Sequence, residues 1–249
     1  MKPHRHHYWL NYKPEDEVQF NNQVKAICDL YHQAPELYQQ GIHIISSDEL
    51  TGIQALERVT PSLAMRPGLI ERREFEYIRH GTVSLIANFE VATGAVIAPS
   101  LGPRRTEADF EAHIRTTIAT DSTAQWIFIV DQLNIHKSES LVRLVAEKCS
   151  ITDDLGIKGK QGWLKSMQSR ATFLSDKTHR IRFVYVPKHS SWLNQIEIWF
   201  SILVRRLLKR TSFCSTDELI DRILGFIDYF NRILAKPFNW TYRGRPLTI

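Results

Sequence analysis

Residues 126–131 read WIFIVD. Five apolar side chains in a row, with no alternation of period two, describe a strand covered on both faces. The run closes on an ionisable residue, Asp131. Residues 42–48, IHIISSD, repeat the theme: a strand-like run that ends on Asp48. Strands of this kind belong to open α/β sheets, in which sites form beyond the carboxyl ends of the strands. Both acids are expected at such ends, with Asp131 on the central strand.

The neighbouring segments supply the rest of the sheet. Residues 82–90 are β-rich, Ala92-Thr93-Gly94 reads as a turn, and 95–98 returns as the second arm of a hairpin. A further strand is expected over 181–186, stopped by Pro187. Helical spacing appears over 14–40 (Val18, Val24, Ile27, Leu30, Tyr31), 106–117, 137–149 and 197–210. A last helix is expected over 216–234, where Ser215-Thr216-Asp217-Glu218 forms a capping box. A hairpin pairs antiparallel, and strands joined through helices run parallel. The order therefore implies an α/β fold: a mixed five-stranded sheet with helices on both faces. Residues 52–80, broken by Pro61, Pro67 and Gly68, are expected to be irregular. Residues 150–180, with Gly156, Gly159, Gly162 and the lysines 158, 160 and 165, read as an inserted loop with a short helix near 163–170.

Composition bounds the function. The chain has 249 residues, of which 43% are hydrophobic, enough for a full core. No apolar run approaches the roughly 20 residues that span a bilayer, so no membrane role is expected. MKPHRHHYWL, residues 1–10, lacks the apolar stretch of a secretory signal. Cys28, Cys149 and Cys214 are scattered, as suits reduced thiols in a cytoplasmic protein. The net charge is +5, and residues 200–249 hold nine Lys/Arg against four Asp/Glu, a balance that attracts polyanions such as DNA.

Asp48, Asp131 and Glu197, the last inside WLNQIEIWF (192–200), are the candidate chemical centre. Phosphodiesters resist attack because they repel nucleophiles and release a poor leaving group. Two divalent ions answer both problems, and Mg²⁺ needs only a few carboxylate oxygens. Asp131 is the expected bridging ligand, Asp48 shares the first ion, and Glu197 completes the second from a helix start. Along that helix Glu197 and Arg205 fall on one exposed stripe, opposite Ile196, Trp199, Phe200, Leu203 and Leu207. Arg206, Lys209 and Arg210 widen the basic surface toward DNA.

These stretches resemble the IS630 family of bacterial transposases, within the IS630/Tc1/mariner superfamily of DDE enzymes. The resemblance rests on KPHRHHYWLN (2–11), SSDELTGIQALERVTPSLAMRPG (46–68), ERREFEYIRHGTVSLIANFEVATGAVI (71–97), IVDQLNIHKS (129–138), PKHSSWLNQIEIWFSILVRRLLKR (187–210) and KPFNWTYRGRPL (236–247). It implies a ribonuclease H-like catalytic core over 41–211. Before the core come a basic lead-in and helix over 1–40. After it, a helix and basic tail over 212–249 pack back onto the core. It implies Asp48, Asp131 and Glu197 as catalytic, metal-binding acids, with Asn134, His136 and Asn194 supporting them and Trp192 and Trp199 packing. The implied cofactor is Mg²⁺, replaceable by Mn²⁺, as a pair of ions. The implied partners are transposon ends and target DNA, cut at the ends and joined at a TA step by a homodimer in the bacterial cytoplasm. Helix-turn-helix domains found in full-length members are expected from a separate product of an upstream frame. The second and third acids stand 66 positions apart, a long spacing that resembles one branch of the family, and Gln132 departs from the usual asparagine. Two other readings stay open: a catalytically silent, transposase-derived DNA-binding protein, and a stand-alone ribonuclease H-like nuclease.

Overall fold

The computed structural model describes residues 15–72 and 74–243. The expected lead-in at 1–13 and the last residues of the basic tail, 244–249, lie outside them. The strands are β1 (Ile42–Arg58), β2 (Tyr77–Glu90), β3 (Val96–Gly102), β4 (Gln125–Val130) and β5 (Ile181–Tyr185). The helices are α1 (Glu17–Gln39), α2 (Glu107–Ala119), α3 (Glu139–Lys148), α4 (Met167–Leu174), α5 (Ile196–Leu203) and α6 (Thr216–Ile233). The strands form one sheet in the order β3-β2-β1-β4-β5. The β3–β2 and β2–β1 pairs are antiparallel, and the β1–β4 and β4–β5 pairs are parallel. The expected mixed five-stranded sheet is therefore the observed one. Its middle strand is β1, however, and β4 lies one place to the side.

Alternation along the strands divides the core in two. Ile44, Ile127 and Ile129 face α1, α5 and α6, where Val24, Ile27, Trp199, Phe200, Ile223 and Phe230 are buried. Ile45, Trp126, Phe128 and Val130 face α2, α3 and α4, against Phe110, Ile114, Leu141, Val145 and Phe173. Apolar side chains on both faces are why WIFIV carries no period of two. The helices begin on side-chain caps: Asp16 for α1, Thr106 with Asp109 for α2, Ser138 for α3 and Ser215 for α6. No helix among the described residues is long and apolar enough to cross a membrane.

Three expectations change. First, residues 52–80 are not irregular throughout, because β1 runs on to Arg58 and β2 begins at Tyr77. The two strands pair beyond the body of the sheet with register shifts near Gly52, whose φ is +67°. Second, the helix expected over 137–149 is a 3₁₀ turn, Asn134–Lys137, followed by α3. The helix expected over 197–210 is α5 followed by a π-helical turn, Val204–Leu208. Third, the 150–180 segment is packed down, since Leu164, Phe173 and Leu174 are buried in the second half of the core. Its helix, α4, starts at Met167. A Cβ on Gly156 would stand 2.2 Å from the Gln161 carbonyl oxygen, so glycine alone permits this fold-back.

His113, on α2, is 1% exposed. Its Nδ1 shares a 2.8 Å hydrogen bond with the Ser100 hydroxyl, and within the described residues nothing pairs with Nε2. Burial pulls its pKa down from 6.5 to about 3. Between those values the unfolded chain binds a proton that the folded chain refuses, so stability falls as pH drops below about 6.5. At about 1.4 kcal/mol per pH unit, the loss reaches roughly 2 kcal/mol by pH 5. A His113→Gln variant should lose about that much less than the parent between pH 7.5 and 5 in urea unfolding. Equal losses would remove His113 from the account.

Candidate active site

The parallel register of β1 on β4 builds the site. Ser46 lies opposite Ile129, the last paired position of the two strands. Two residues further on each strand come Asp48 and Asp131. Asp131 follows directly on the end of β4, near enough to act on Asp48, and by strand alternation Asp48 projects from the same face as Ile44 and Ser46. That is the face covered by α1, α5 and α6. β4 stops at Val130, whereas β1 continues, pairing Asp48 with Ala87 of β2. Asp48 is thus within a strand, not at its end as expected. It is a candidate site residue because its parallel partner stops and leaves that flank to Asp131.

Asn194 brings in the third acid. Its side chain is fully buried. Its Nδ2 donates to the Asp48 carboxylate at 3.0 Å and to the Ser47 carbonyl at 3.1 Å. Its Oδ1 accepts from the Ser46 hydroxyl, which itself accepts from the Ile196 N–H at 2.9 Å. The first turn of α5 is thereby tied to β1, and Glu197 stands exposed in that turn. Ile196, Trp199, Phe200 and Leu203 bury the opposite face.

The Asp131 carboxylate is oriented from below. Its Oδ1 accepts from the Leu133 N–H at 2.8 Å and lies 2.8 Å from His136 Nδ1. The 3₁₀ turn swings the His136 ring under the acid, where it is buried, packs on Phe110 at 4.5 Å and meets the Glu49 carboxylate through Nε2 at 2.9 Å. The Tyr185 hydroxyl donates to the His136 carbonyl at 2.9 Å. Asn134 is exposed at the first position of the turn, so the donors to Asp131 are Leu133 and His136 instead.

The charges respond to this crowding. Burial, with the Asp131 and Glu49 carboxylates behind it, raises Asp48 to about 7. Burial and then Asp131 raise Glu197. Burial alone would raise Asp131, but the hydrogen bonds from His136 and the Leu133 N–H outweigh it and leave the acid below its ordinary value. Burial opposes the charge on His136, yet hydrogen bonds to Asp131 and Glu49 raise its pKa to about 9. Two carboxylates that each gain energy by shedding charge next to a third are relieved by a cation. Among the described residues no three acid, histidine or cysteine side chains stand close enough to cage an ion by themselves. One or two carboxylates completed by water and substrate phosphate oxygens are the coordination that Mg²⁺ adopts at phosphoryl-transfer sites, so the donor set fits it.

The expected basic residues lie apart from this cluster. Arg205, Arg206, Lys209 and Arg210 are all exposed, in the π-helical turn that follows α5 and just beyond it. The π-helical turn begins at Val204, and the Arg205 Nε donates back to the Ser201 carbonyl at 3.1 Å. The cations that act on Asp131 are Arg105, on the loop before α2, and Lys137. Neither stands in a pattern that marks it in the sequence. Gln132 bridges strand ends, donating to the Val186 carbonyl at 2.9 Å and accepting from Lys137 at 2.5 Å. Trp199 is a packing residue, but Trp192 is 51% exposed, edge-on to Tyr242 at 5.2 Å.

Residues 43–220 match the family described as DDE superfamily endonuclease. No curated protein matches the chain by sequence. Among solved structures, the crystal structure of the Mos1 mariner paired end complex with Mn superposes with a TM-score of 0.53 at 13% identity, over 96% of this chain and 62% of that one. The crystal structure of a pre-cleavage Mos1 transpososome gives 0.51 at 12% identity, over 90% and 59%. The chain thus spans about three fifths of these relatives' length, and at such identities the likeness carries the fold.

Asn194 has a measurable share in this assembly. Replacing it with alanine leaves the Ser46 O–H without its acceptor and Asp48 without its buried donor, which loosens the tie between β1 and α5, and a buried polar group left unpaired costs about 1–3 kcal/mol. Urea unfolding of Asn194→Ala should show a loss of that size, with faster hydrogen exchange at the Ile196 amide. If neither changes, packing alone holds the helix start.

Proposed function

The chain belongs to the DDE superfamily of endonucleases, and from that premise we propose that it is the catalytic part of a DNA transposase of the IS630 kind. One observation carries the reading: Asp48 and Asp131 come together at the point where β4 ends, with the helix of Glu197 tied to the strand of Asp48 through Asn194. In this reading the three acids hold a pair of Mg²⁺ ions, or Mn²⁺ in their place. Ions so held supply activation of a water or 3′-OH and stabilisation of the departing oxygen.

The chain's own residues do the positioning. His136 and the Leu133 N–H fix one oxygen of Asp131, and the side chain stays 40% exposed toward the substrate side. Asn194 fixes Asp48, and Glu197 closes the cluster from the helix. Arg205, Arg206, Lys209 and Arg210, with Lys137, attract the DNA backbone, so binding weakens steeply with salt and reads little sequence. The reaction is cleavage at the element ends followed by transfer of the freed 3′-OH to a TA step, in the bacterial cytoplasm. Holding two ends together calls for a dimer. The β1–β2 arm supports one, since it exposes Leu63, Met65, Leu69, Ile70 and Phe75, an apolar set that a monomer leaves in water. Sequence-specific recognition of the ends would come from a helix-turn-helix product encoded upstream.

The test is nicking and strand transfer on end-bearing oligonucleotides with Mg²⁺ or Mn²⁺. Asp131→Asn and EDTA should each lower the rate by at least about 1,000-fold, the scale of losing a group on which the whole chemical step depends. Activity that survives both sinks the proposal. Cleavage of RNA–DNA hybrids without strand transfer would replace it with a nuclease, and DNA affinity with no Mn²⁺ binding would replace it with a silent binding protein.

A further inference from the structure

We propose that Glu49 is a positioning residue for this chemistry: its one buried carboxylate holds His136 against Asp131 and holds Arg105 as the cation that meets the substrate phosphate. The inference rests on the transposase reading and deepens it. Glu49 follows Asp48 on β1, so strand alternation sends it to the opposite face, toward α2 and α3. Its side chain has no exposure. A carboxylate taken out of water is tolerated only where hydrogen bonds and opposite charge replace the water. Both replacements are present: Oε1 faces His136 Nε2 at 2.9 Å, and Oε2 accepts from Arg105 at 3.2 Å.

The result is a continuous chain, Arg105–Glu49–His136–Asp131, in which each link is a hydrogen bond or ion pair of 3.2 Å or less. His136 is wedged against Phe110, and a carboxylate at each end of the ring fixes which nitrogen addresses Asp131. Removing the far carboxylate removes that choice. Arg105 is 38% exposed, so the guanidinium is anchored at one nitrogen and open at the others. A leucine or glutamine would fill the space beneath β1 without adding a third negative charge beside Asp48 and Asp131. The carboxylate is explained by what it orients. Residues that orient metal-binding acids in this way are worth about 10- to 100-fold in ion affinity or activity.

The experiment uses the full chain with Mn²⁺ as the probe. Glu49→Gln, compared with the parent by calorimetry, should bind Mn²⁺ about 10- to 100-fold more weakly. In the nicking assay it should lose kcat to a similar degree at unchanged KM for DNA. Arg105→Gln should raise KM and leave Mn²⁺ affinity as it was. The double variant Glu49→Gln/His136→Gln should be no worse than its weaker parent, since both act along one chain. Parental Mn²⁺ affinity in Glu49→Gln, or effects that multiply in the double variant, overturn the proposal. Should Glu49→Gln fail to fold, as judged by thermal melting without metal, the parent decides. It must show a solvent-protected, downfield ring N–H proton from His136 Nε2, and the absence of that resonance overturns the contact. A parent that binds Mn²⁺ but cuts no DNA would sink the transposase reading, while the calorimetric comparison would still judge Glu49.

Discussion

The parallel register that sets Ser46 of β1 beside Ile129 of β4 is the constraint on which the rest depends. A slip of one residue would turn Asp48 and Glu49 inside out, sending the first acid among the apolar side chains of α2 and α3. The register is held from both faces. Ile44, Ile127 and Ile129 are locked into one half of the core, and Ile45, Trp126 and Phe128 into the other. A sheet covered on both sides tolerates no alternative pairing. The precision of the acidic cluster is therefore inherited from packing several residues away.

Polarity is distributed unevenly along that sheet. Toward the start of β4 the interior is aromatic, with Trp126, Phe128 and Phe183 stacked within 6 Å of one another in succession. Toward its end the buried groups are Ser46, Ser47, Asp48, His136, Ser190, Asn194 and Gln195. Each of these would cost stability alone. Ser46, Asn194 and Asp48 are hydrogen-bonded in succession, and His136 is held by Asp131 and Glu49, which makes a polar plug between strand ends and helix starts. Among the described residues Ser47 and Gln195 keep side-chain atoms without partners there, consistent with a region shaped by chemistry more than by folding.

Much of this was legible. Uninterrupted apolar runs marked β4 and the start of β1, the turn at 92–94 marked the hairpin, helical spacing marked α2 and α3, and the capping box marked α6. The acids closing those runs marked the candidate site. What stayed hidden shares a physical cause, dependence on distant partners. The second half of β1, ELTGIQALER, has no apolar run because only β2 pairs with it and much of it is solvated. A glutamate directly after an aspartate reads as solvent-facing until strand alternation and His136 bury it. Leu164 is cut off from Phe173 and Leu174 by a polar stretch holding Lys165 and Arg170, so periodicity missed their burial. The π-helical turn after α5 has no local signature.

The 150–180 segment has a consequence for the length of the chain between the second and third acids. Arg170, on α4, is largely buried and donates to the Lys137 carbonyl at 2.6 Å and the Leu164 carbonyl at 3.1 Å. Lys137 closes the 3₁₀ turn that carries His136. The excursion is thus a strut: it leaves the sheet, folds on itself, and returns one guanidinium to the back of the turn beneath Asp131. A relative with a shorter connection must terminate that turn by other means, and grafting or trimming this segment would be felt at the acid it never touches.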